Sequence, residues 1–195
     1  MKKIVVAGGG VLGSQIAFQA AYCGFDVTIW LRSQSSIGRT QPKLDNLKKT
    51  YEAAIESMAT GTGPWCAGIA DFGALLDKDA CLARVQAAYE GLKLELDMAA
   101  AVADADLVIE SMAEDPKAKI EFYQKLAPVL PSTTVVVTNS STLLPSTFAA
   151  RKNAALLQSP STVSVPGEWN GVPPVTTKSA VFFPNTSIAR RVMVM

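Results

Sequence analysis

The sequence predicts an α/β protein with a doubly wound, mainly parallel β-sheet and a helical insert. Short apolar runs alternate with segments of helical periodicity, which is typical of βαβ units. A glycine-rich turn joins the first apolar run to the first helical segment. A long helical excursion then separates the second strand from the third, and a plain βαβ crossover needs only one helix. This excursion predicts an insert over about residues 42–90.

The first βαβ unit carries the most informative motif of the chain. Residues 4–32 read IVVAGGGVLGSQIAFQAAYCGFDVTIWLR and contain Gly8-x-Gly10-x-x-Gly13. Gly8 permits a tight turn, Gly10 lets the backbone approach a pyrophosphate, and Gly13 lets the helix pack closely on the strand. The motif predicts a Rossmann-type dinucleotide-binding unit, and the alternative is a βαβ unit that binds no nucleotide.

The other elements follow the same alternation. Proline at the first helical position after an acidic residue is a helix start signal, and Asp115-Pro116 provides one. Polar residues that directly follow the last strand would lie at the carboxyl edge of the sheet, where open α/β sheets bind ligands. The sequence predicts strands over residues 3–7, 26–31, 93–96, 106–111 and 134–138, and helices over 11–23, from 42, over 75–89, over 97–103 and from 116.

Composition limits the classes of partner. Eighteen basic and seventeen acidic side chains give a net charge of +1, so charge does not favour nucleic acid or an anionic membrane as a partner. No apolar run reaches the length of a membrane span, and three glycines interrupt the only segment that resembles a secretion signal. We therefore expect a cytoplasmic protein. The three cysteines lie far apart in sequence and predict neither a disulfide framework nor a metal site.

The end of the second predicted strand bears on the choice of cofactor. In Rossmann units this position normally carries an acidic residue that binds the adenosine ribose hydroxyls. Here it is Leu31, followed by Arg32 and Ser33. A guanidinium suits a 2′-phosphate, so Arg32 and Ser33 favour NADP. The alternative is that Arg32 is a solvated loop residue and NAD binds through its pyrophosphate.

Two long segments resemble the N-terminal domain of the 3-hydroxyacyl-CoA dehydrogenases. The first is VVAGGGVLGSQIAFQAAYCGFDVTI, and the second is DMAAAVADADLVIESMAEDPKAKIEFYQKLAPVLPSTTVVVTNSSTL. The AD-LVIE-xxxED-xxK run and the TNSSTL turn lie at the family's spacing from the glycines. The resemblance covers about residues 1–150, and the helical insert between the two segments is similar to that family's insert, which contributes to coenzyme A binding.

The resemblance implies hydride transfer between NAD or NADP and C3 of a 3-hydroxyacyl-CoA thioester. It implies that Glu114 and Lys119 contact the nicotinamide half of the cofactor, and that Ser141 binds the substrate oxygen near the nicotinamide ribose. From the residues alone, Glu114 could be a helix N-terminal charge, Lys119 a surface lysine and Ser141 a turn hydroxyl. The implied pyrophosphate turn comprises Gly8, Gly9, Gly10, Val11, Leu12 and Gly13.

The sequence departs from the family at the catalytic base. Oxidation of a secondary alcohol needs a group that takes the hydroxyl proton, and histidine suits this role near pH 7. The chain contains no histidine, and residues 157–166, LQSPSTVSVP, do not match the family's histidine strand. Lys119 and Tyr123 are the remaining candidates, and nothing in the sequence prepares either for proton transfer. We therefore expect dinucleotide binding with impaired turnover.

The sequence also predicts a domain boundary. Residues 1–152 form the expected dinucleotide-binding domain. Residues 153–195 lack helical or strand periodicity and are expected to be an irregular, poorly ordered tail. This tail is either read in a shifted frame or a genuine divergent segment with its own partner. No segment matches the family's helical second domain, which carries its homodimer interface. Two other functions remain open: an NADP-dependent ketoacid or diketone reductase, and a non-catalytic dinucleotide-binding protein similar to the crystallin relatives of this family.

Overall fold

The computed structural model describes residues 2–139 of the 195-residue chain. Strands and helices alternate along it, with two consecutive helices between the second and third strands. The strands are β1 (Lys3–Ala7), β2 (Asp26–Trp30), β3 (Lys93–Glu95), β4 (Leu107–Glu110) and β5 (Val135–Thr138). The helices are α1 (Val11–Tyr22), α2 (Gln34–Thr60), α3 (Lys78–Gly91), α4 (Met98–Val102) and α5 (Pro116–Leu126).

The five strands form one parallel sheet in the order β3-β2-β1-β4-β5. Ala7 pairs with Trp30 on one side and with Glu110 on the other, and Glu110 pairs with Thr138. The carboxyl ends of these four strands therefore meet at one edge. The strand order reverses at β1, and open α/β sheets bind ligands beside such a reversal. This topology confirms the predicted doubly wound Rossmann-type sheet.

Helices cover both faces of the sheet, which explains why its strands are apolar on both sides. In β1, Ile4 and Val6 point into one hydrophobic cluster, whereas Val5 and Ala7 point into the other. The larger cluster lies under α1, α2 and α3 and includes Phe18, Tyr51, Ile55 and Val85. The smaller cluster lies under α4 and α5 and includes Trp30, Phe122 and Leu126. The helical insert, formed by α2 and α3, is thus part of the core.

The structure corrects the predicted beginning of α2. The helix starts at Gln34, not at Pro42, and Pro42 lies inside it. The prediction failed because serine, glycine and proline in residues 33–42 disfavour a helix interior. Tertiary packing overrides that preference, since Thr40 in this segment is only 1% exposed. The change matters because it adds two helical turns directly beside the glycine-rich turn.

The other predicted boundaries differ from the structure by a few residues at most. Helix α3 starts at Lys78, where the Asp77 side chain accepts a hydrogen bond from the Ala80 amide at 2.9 Å. Helix α5 starts at Pro116 as predicted, and Asp115 accepts from the Lys117 amide at 3.0 Å. Ser141, the predicted domain boundary at residue 152 and the predicted tail over 153–195 lie outside the described residues.

Asp106 links the chain start to β4 and makes stability depend on acid pH. Its Oδ2 accepts from the Lys2 and Lys3 amides at 2.5 and 3.0 Å. These hydrogen bonds lower the pKa of the carboxyl, the Lys2 bond most strongly. The stabilisation is therefore full above the unfolded-state pKa of about 3.9 and is lost as the pH falls through the folded-state pKa.

Asp106→Asn is expected to make stability less sensitive to acid, because asparagine has no carboxyl to protonate. We expect the free energy of unfolding, measured in urea, to fall less steeply with pH below about 4 than that of the wild-type chain. Equal slopes for the two chains would contradict this role of Asp106.

Candidate functional site

A cleft of about 390 Å³ opens at the carboxyl edge of the sheet, beside the strand-order reversal at β1. The glycine-rich turn forms its floor, the segment after β2 and one face of α2 form one wall, and the loop between β4 and α5 forms the other. Its lining comprises Gly8, Gly9, Gly10, Trp30, Leu31, Arg32, Ser36, Arg39, Thr40, Lys43, Ser111, Met112, Ala113, Asp115 and Ala118.

The glycine-rich turn has little room on its protein side. Gly8 has φ of +119°, and a Cβ there would lie 2.6 Å from the Ser111 carbonyl oxygen. A Cβ on Gly13 would lie 2.1 Å from the Gly8 carbonyl oxygen. Gly10 differs, because a Cβ on it would meet no atom within 4 Å. Gly8 and Gly13 are thus required by the fold, whereas the space above Gly10 belongs to the cleft.

The first turn of α1 is suited to an anion. Gly10 is its N-cap and offers no side-chain acceptor, and the turn contains no acidic residue. Unpaired amides at a helix N-terminus bind anionic groups, and the helix dipole favours negative charge there. Together with the open space above Gly10, this arrangement fits the pyrophosphate of a dinucleotide.

The α2 side of the cleft carries basic and hydroxyl side chains. The usual ribose-binding position is occupied by Leu31 and so carries no carboxylate, and the Leu31 side chain is buried, with 2% exposure. Arg32 lines the cleft, but Ser33 does not: its hydroxyl lies 3.0 Å from those of Ser35 and Ser36. Ser36 takes the place in the lining that the sequence assigned to Ser33. It reaches the cleft because α2 begins eight residues earlier than predicted.

A buried ion pair supports the opposite wall. Glu110, at the end of β4, and Lys119, on α5, are 0% and 1% exposed. The Lys119 Nζ donates to Glu110 Oε1 and Oε2 at 2.9 and 2.8 Å, and the Met112 amide donates to Oε1 at 2.8 Å. The Thr138 hydroxyl also donates to Glu110 Oε2, at 2.5 Å. The carboxylate therefore joins α5, β5 and the cleft-lining loop, and the interpretation of Lys119 as a surface lysine is wrong.

Tyr123 is buried beside this pair. Burial raises the pKa of its phenol, the charge of Glu110 adds to that increase, and a hydrogen bond with Thr138 opposes it. The phenol is therefore neutral at physiological pH and poorly suited to accept a proton.

The structure brings only part of the predicted site together. Gly8, Gly9, Gly10 and Arg32 line the cleft, whereas Gly13 lies beneath the turn. Val11 and Leu12 lie next to Gly10, in the first turn of α1. Val11 and Leu12 are 68% and 48% exposed at the start of α1, Glu114 lies 3.9 Å from Lys119 outside the lining, and Ser141 is not among the described residues.

Sequence reasoning missed Glu110 and the α2 residues Ser36, Arg39 and Thr40. Glu110 gave one signal, because it is a lone charge that ends the apolar run LVIE, and a buried charge needs a partner. Ser36, Arg39, Thr40 and Lys43 are at helical spacing, which would have placed them on one helix face. The predicted helix began only at Pro42, so this spacing was not recognised.

The fold and the cleft define a Rossmann-type dinucleotide-binding domain. The sequence model of the 3-hydroxyacyl-CoA dehydrogenase NAD-binding domain matches residues 3–156, and the chain belongs to that family. It is 28% identical over 143 residues to the mitochondrial hydroxyacyl-coenzyme A dehydrogenase of Rattus norvegicus. It is 30% identical over 144 residues to the 3-hydroxybutyryl-CoA dehydrogenase of Clostridioides difficile. These matches cover 73% and 72% of this chain but only 40% and 42% of the two relatives.

Solved structures agree with this assignment. A diketoreductase that acts on dicarbonyl compounds matches with a TM-score of 0.60 and 34% identity, over 77% of this chain and 45% of that one. The 3-hydroxybutyryl-CoA dehydrogenase of Escherichia coli matches with a TM-score of 0.57 and 25% identity, over 79% of this chain and 28% of that one. Within residues 2–139, no helix combines the length and apolar character that a membrane crossing needs.

Proposed function

We propose that the chain binds a nicotinamide dinucleotide with its pyrophosphate over Gly10 and its adenosine towards α2. The observation that carries this proposal is the space above Gly10, which adjoins the uncapped first turn of α1 and opens into the cleft. The adenosine ribose would then lie near Leu31 and Arg32, at the end of β2, and the nicotinamide near the Ser111–Asp115 side of the cleft.

We propose a 3-hydroxyacyl-CoA thioester as the substrate class. When bound, the nicotinamide supplies the acceptor for hydride from C3 of such a substrate. Ser141 is proposed to hydrogen-bond the substrate oxygen, and Glu114 to approach the nicotinamide half. Lys119 is proposed to act through Glu110, because its ammonium is buried in that ion pair and does not line the cleft.

Turnover by this chain is proposed to be low. The 195 residues contain no histidine that could take the hydroxyl proton. The Tyr123 phenol has a raised pKa, and the Lys119 ammonium is held between the two oxygens of Glu110. Neither group is placed as a base near neutral pH. The proposed activity is therefore dinucleotide binding with weak hydride transfer. We propose the cytoplasm as its compartment, as the sequence leads us to expect.

We propose NADP as the preferred dinucleotide, with Arg32 near its 2′-phosphate. Because position 31 is leucine, no carboxylate there would repel this phosphate, and Arg32 lines the cleft at that end. NAD remains the cofactor expected from the family as a whole.

A second candidate function is reduction of a diketone or ketoacid without coenzyme A. The diketoreductase match at 34% identity is the observation that favours it. This candidate predicts NADPH oxidation with a small dicarbonyl compound, and the same rate when free coenzyme A is added.

Titration of the purified chain with NADH and with NADPH tests the proposal. We expect saturable quenching of tryptophan emission by both, because Trp30 lines the cleft. We expect tighter binding of NADPH, and little NADPH oxidation with acetoacetyl-CoA. Quenching by neither nucleotide in a folded chain would refute the proposed function. Rapid oxidation with a diketone but not with acetoacetyl-CoA would select the second candidate.

A further inference from the structure

We propose that one face of α2, together with Arg32, forms a binding site for the 2′-phosphate of NADP, in which Arg39 is the principal contact and Lys43 a second one. This inference rests on the proposed function, because it places the adenosine ribose beside α2. It adds Arg39 and Lys43, two cations of the helix, to Arg32.

The site is built by helical spacing. Ser36, Arg39, Thr40 and Lys43 occupy positions i, i+3, i+4 and i+7, so they share one face of α2. All four line the cleft. The Thr40 hydroxyl lies 3.2 Å from the Gly9 carbonyl oxygen and 2.8 Å from the Ser36 carbonyl oxygen. Buried Thr40 thus fixes this face directly against the glycine-rich turn, and the neighbouring cations project into the same cleft.

The positive charge on this wall is not neutralised by the protein. Within residues 2–139, Arg32, Arg39 and Lys43 form no salt bridge with an acidic side chain. Arg39 instead donates to the hydroxyls of Ser35 and Ser36, at 3.3 and 2.9 Å, which carry no charge. The guanidinium is therefore oriented while its charge remains available to an anion.

Acidic groups are also scarce around the cleft. Of the described residues in its lining, Asp115 alone bears a carboxylate, and it belongs to the opposite wall, where it caps α5. On the α2 wall, the Lys43 ammonium donates to the Arg39 carbonyl oxygen of its own helix and not to a carboxylate. The charge distribution of the cleft is therefore asymmetric, and the α2 wall fits an anion beyond the pyrophosphate.

A phosphomonoester on the adenosine ribose is the anion that suits this position. In Rossmann domains the residues after the second strand contact that ribose, and Arg32 occupies this place here. Phosphate accepts forked, charge-assisted hydrogen bonds from guanidinium groups. Coenzyme A carries the same chemistry as a 3′-phosphate. We assign the site to the 2′-phosphate of NADP because the glycine-rich turn forms the floor of the same cleft.

Three small nucleotides test this assignment on the full chain by isothermal titration calorimetry. The probes are 5′-AMP, 2′,5′-ADP and 3′,5′-ADP, of which the last represents the adenosine end of coenzyme A. We expect 2′,5′-ADP to bind at least about tenfold more tightly than 5′-AMP and more tightly than 3′,5′-ADP. Arg39→Gln should remove most of this preference and leave 5′-AMP affinity within about twofold.

Matched variants keep the test independent of folding. Lys43→Met should reduce the preference in part. Lys49→Met is the control, since Lys49 is an exposed cation on the same helix outside the lining, and its affinities should equal those of the wild type. Equal affinity for 5′-AMP and 2′,5′-ADP with intact NADH binding would overturn this inference alone, and so would a preference for 3′,5′-ADP. Failure to bind NADH at all would overturn the proposed function as well.

Discussion

Gly10→Ala is expected to weaken dinucleotide binding strongly while leaving the chain folded. Gly10 has φ of −69° and ψ of −176°, which alanine adopts without strain, and the new Cβ would contact no protein atom. Alanine is a poorer N-cap than glycine, so we expect a loss of at most about 1 kcal/mol in the free energy of unfolding. The methyl group would occupy the space proposed for the pyrophosphate. We expect the Kd for NADPH and NADH to rise by at least about tenfold.

Gly13→Ala is the matched comparison, because it changes the same residue type within the same turn. Its Cβ would lie 2.1 Å from the Gly8 carbonyl oxygen, so the turn or the start of α1 must move. Overpacking of this kind typically costs about 1–3 kcal/mol. Gly13→Ala should therefore lower both the free energy of unfolding and the affinity for the dinucleotide. Gly10→Ala should lower the affinity strongly and the free energy of unfolding only slightly. Unchanged NADPH affinity in Gly10→Ala, measured by tryptophan quenching, would place the pyrophosphate elsewhere.

Much of this architecture could be predicted from sequence because its determinants are local. β1 and the glycine-rich turn follow from an apolar run and three glycines, and α5 follows from Asp115-Pro116. The start of α2 could not be predicted in this way. Its serine, glycine and proline residues favour a loop. The helix there is stabilised by tertiary contacts formed across the fold, among them the packing of Ile37 on the core and the hydrogen bond of Thr40 to the Gly9 carbonyl oxygen.

Lys119 illustrates the same limit in the site. From the residues alone it could be a surface lysine near a helix start, and Glu114 a helix N-terminal charge; their side chains lie 3.9 Å apart. The closer partner is Glu110, nine residues earlier, because the turn between β4 and α5 brings the strand end under the helix. Strand ends and helix faces can be assigned from sequence, but the side chains that meet between them depend on how the loop folds.

Lys119→Met is expected to have the largest effect on stability. Methionine fills a similar volume, but it leaves the Glu110 carboxylate buried without a countercharge. Breaking a buried ion pair in this way costs about 3–5 kcal/mol, well above the cost of losing an exposed pair. The surface control is Lys93→Met, since Lys93 pairs with Asp26 at 2.9 Å with both side chains exposed, and its cost should not exceed about 1 kcal/mol. Urea unfolding measures all three chains.

The double variant Glu110→Gln/Lys119→Met separates the unpaired charge from lost packing. A glutamine at position 110 can still accept from the Met112 amide and can donate to the Thr138 hydroxyl, so no buried charge remains. We expect it to recover at least about half of the stability lost in Lys119→Met. If the double variant were instead less stable than Lys119→Met, the ammonium would stabilise α5 by packing rather than by charge.

Because Glu110 holds the Met112 amide in the cleft-lining loop, NADPH affinity should follow the same order as stability across these variants.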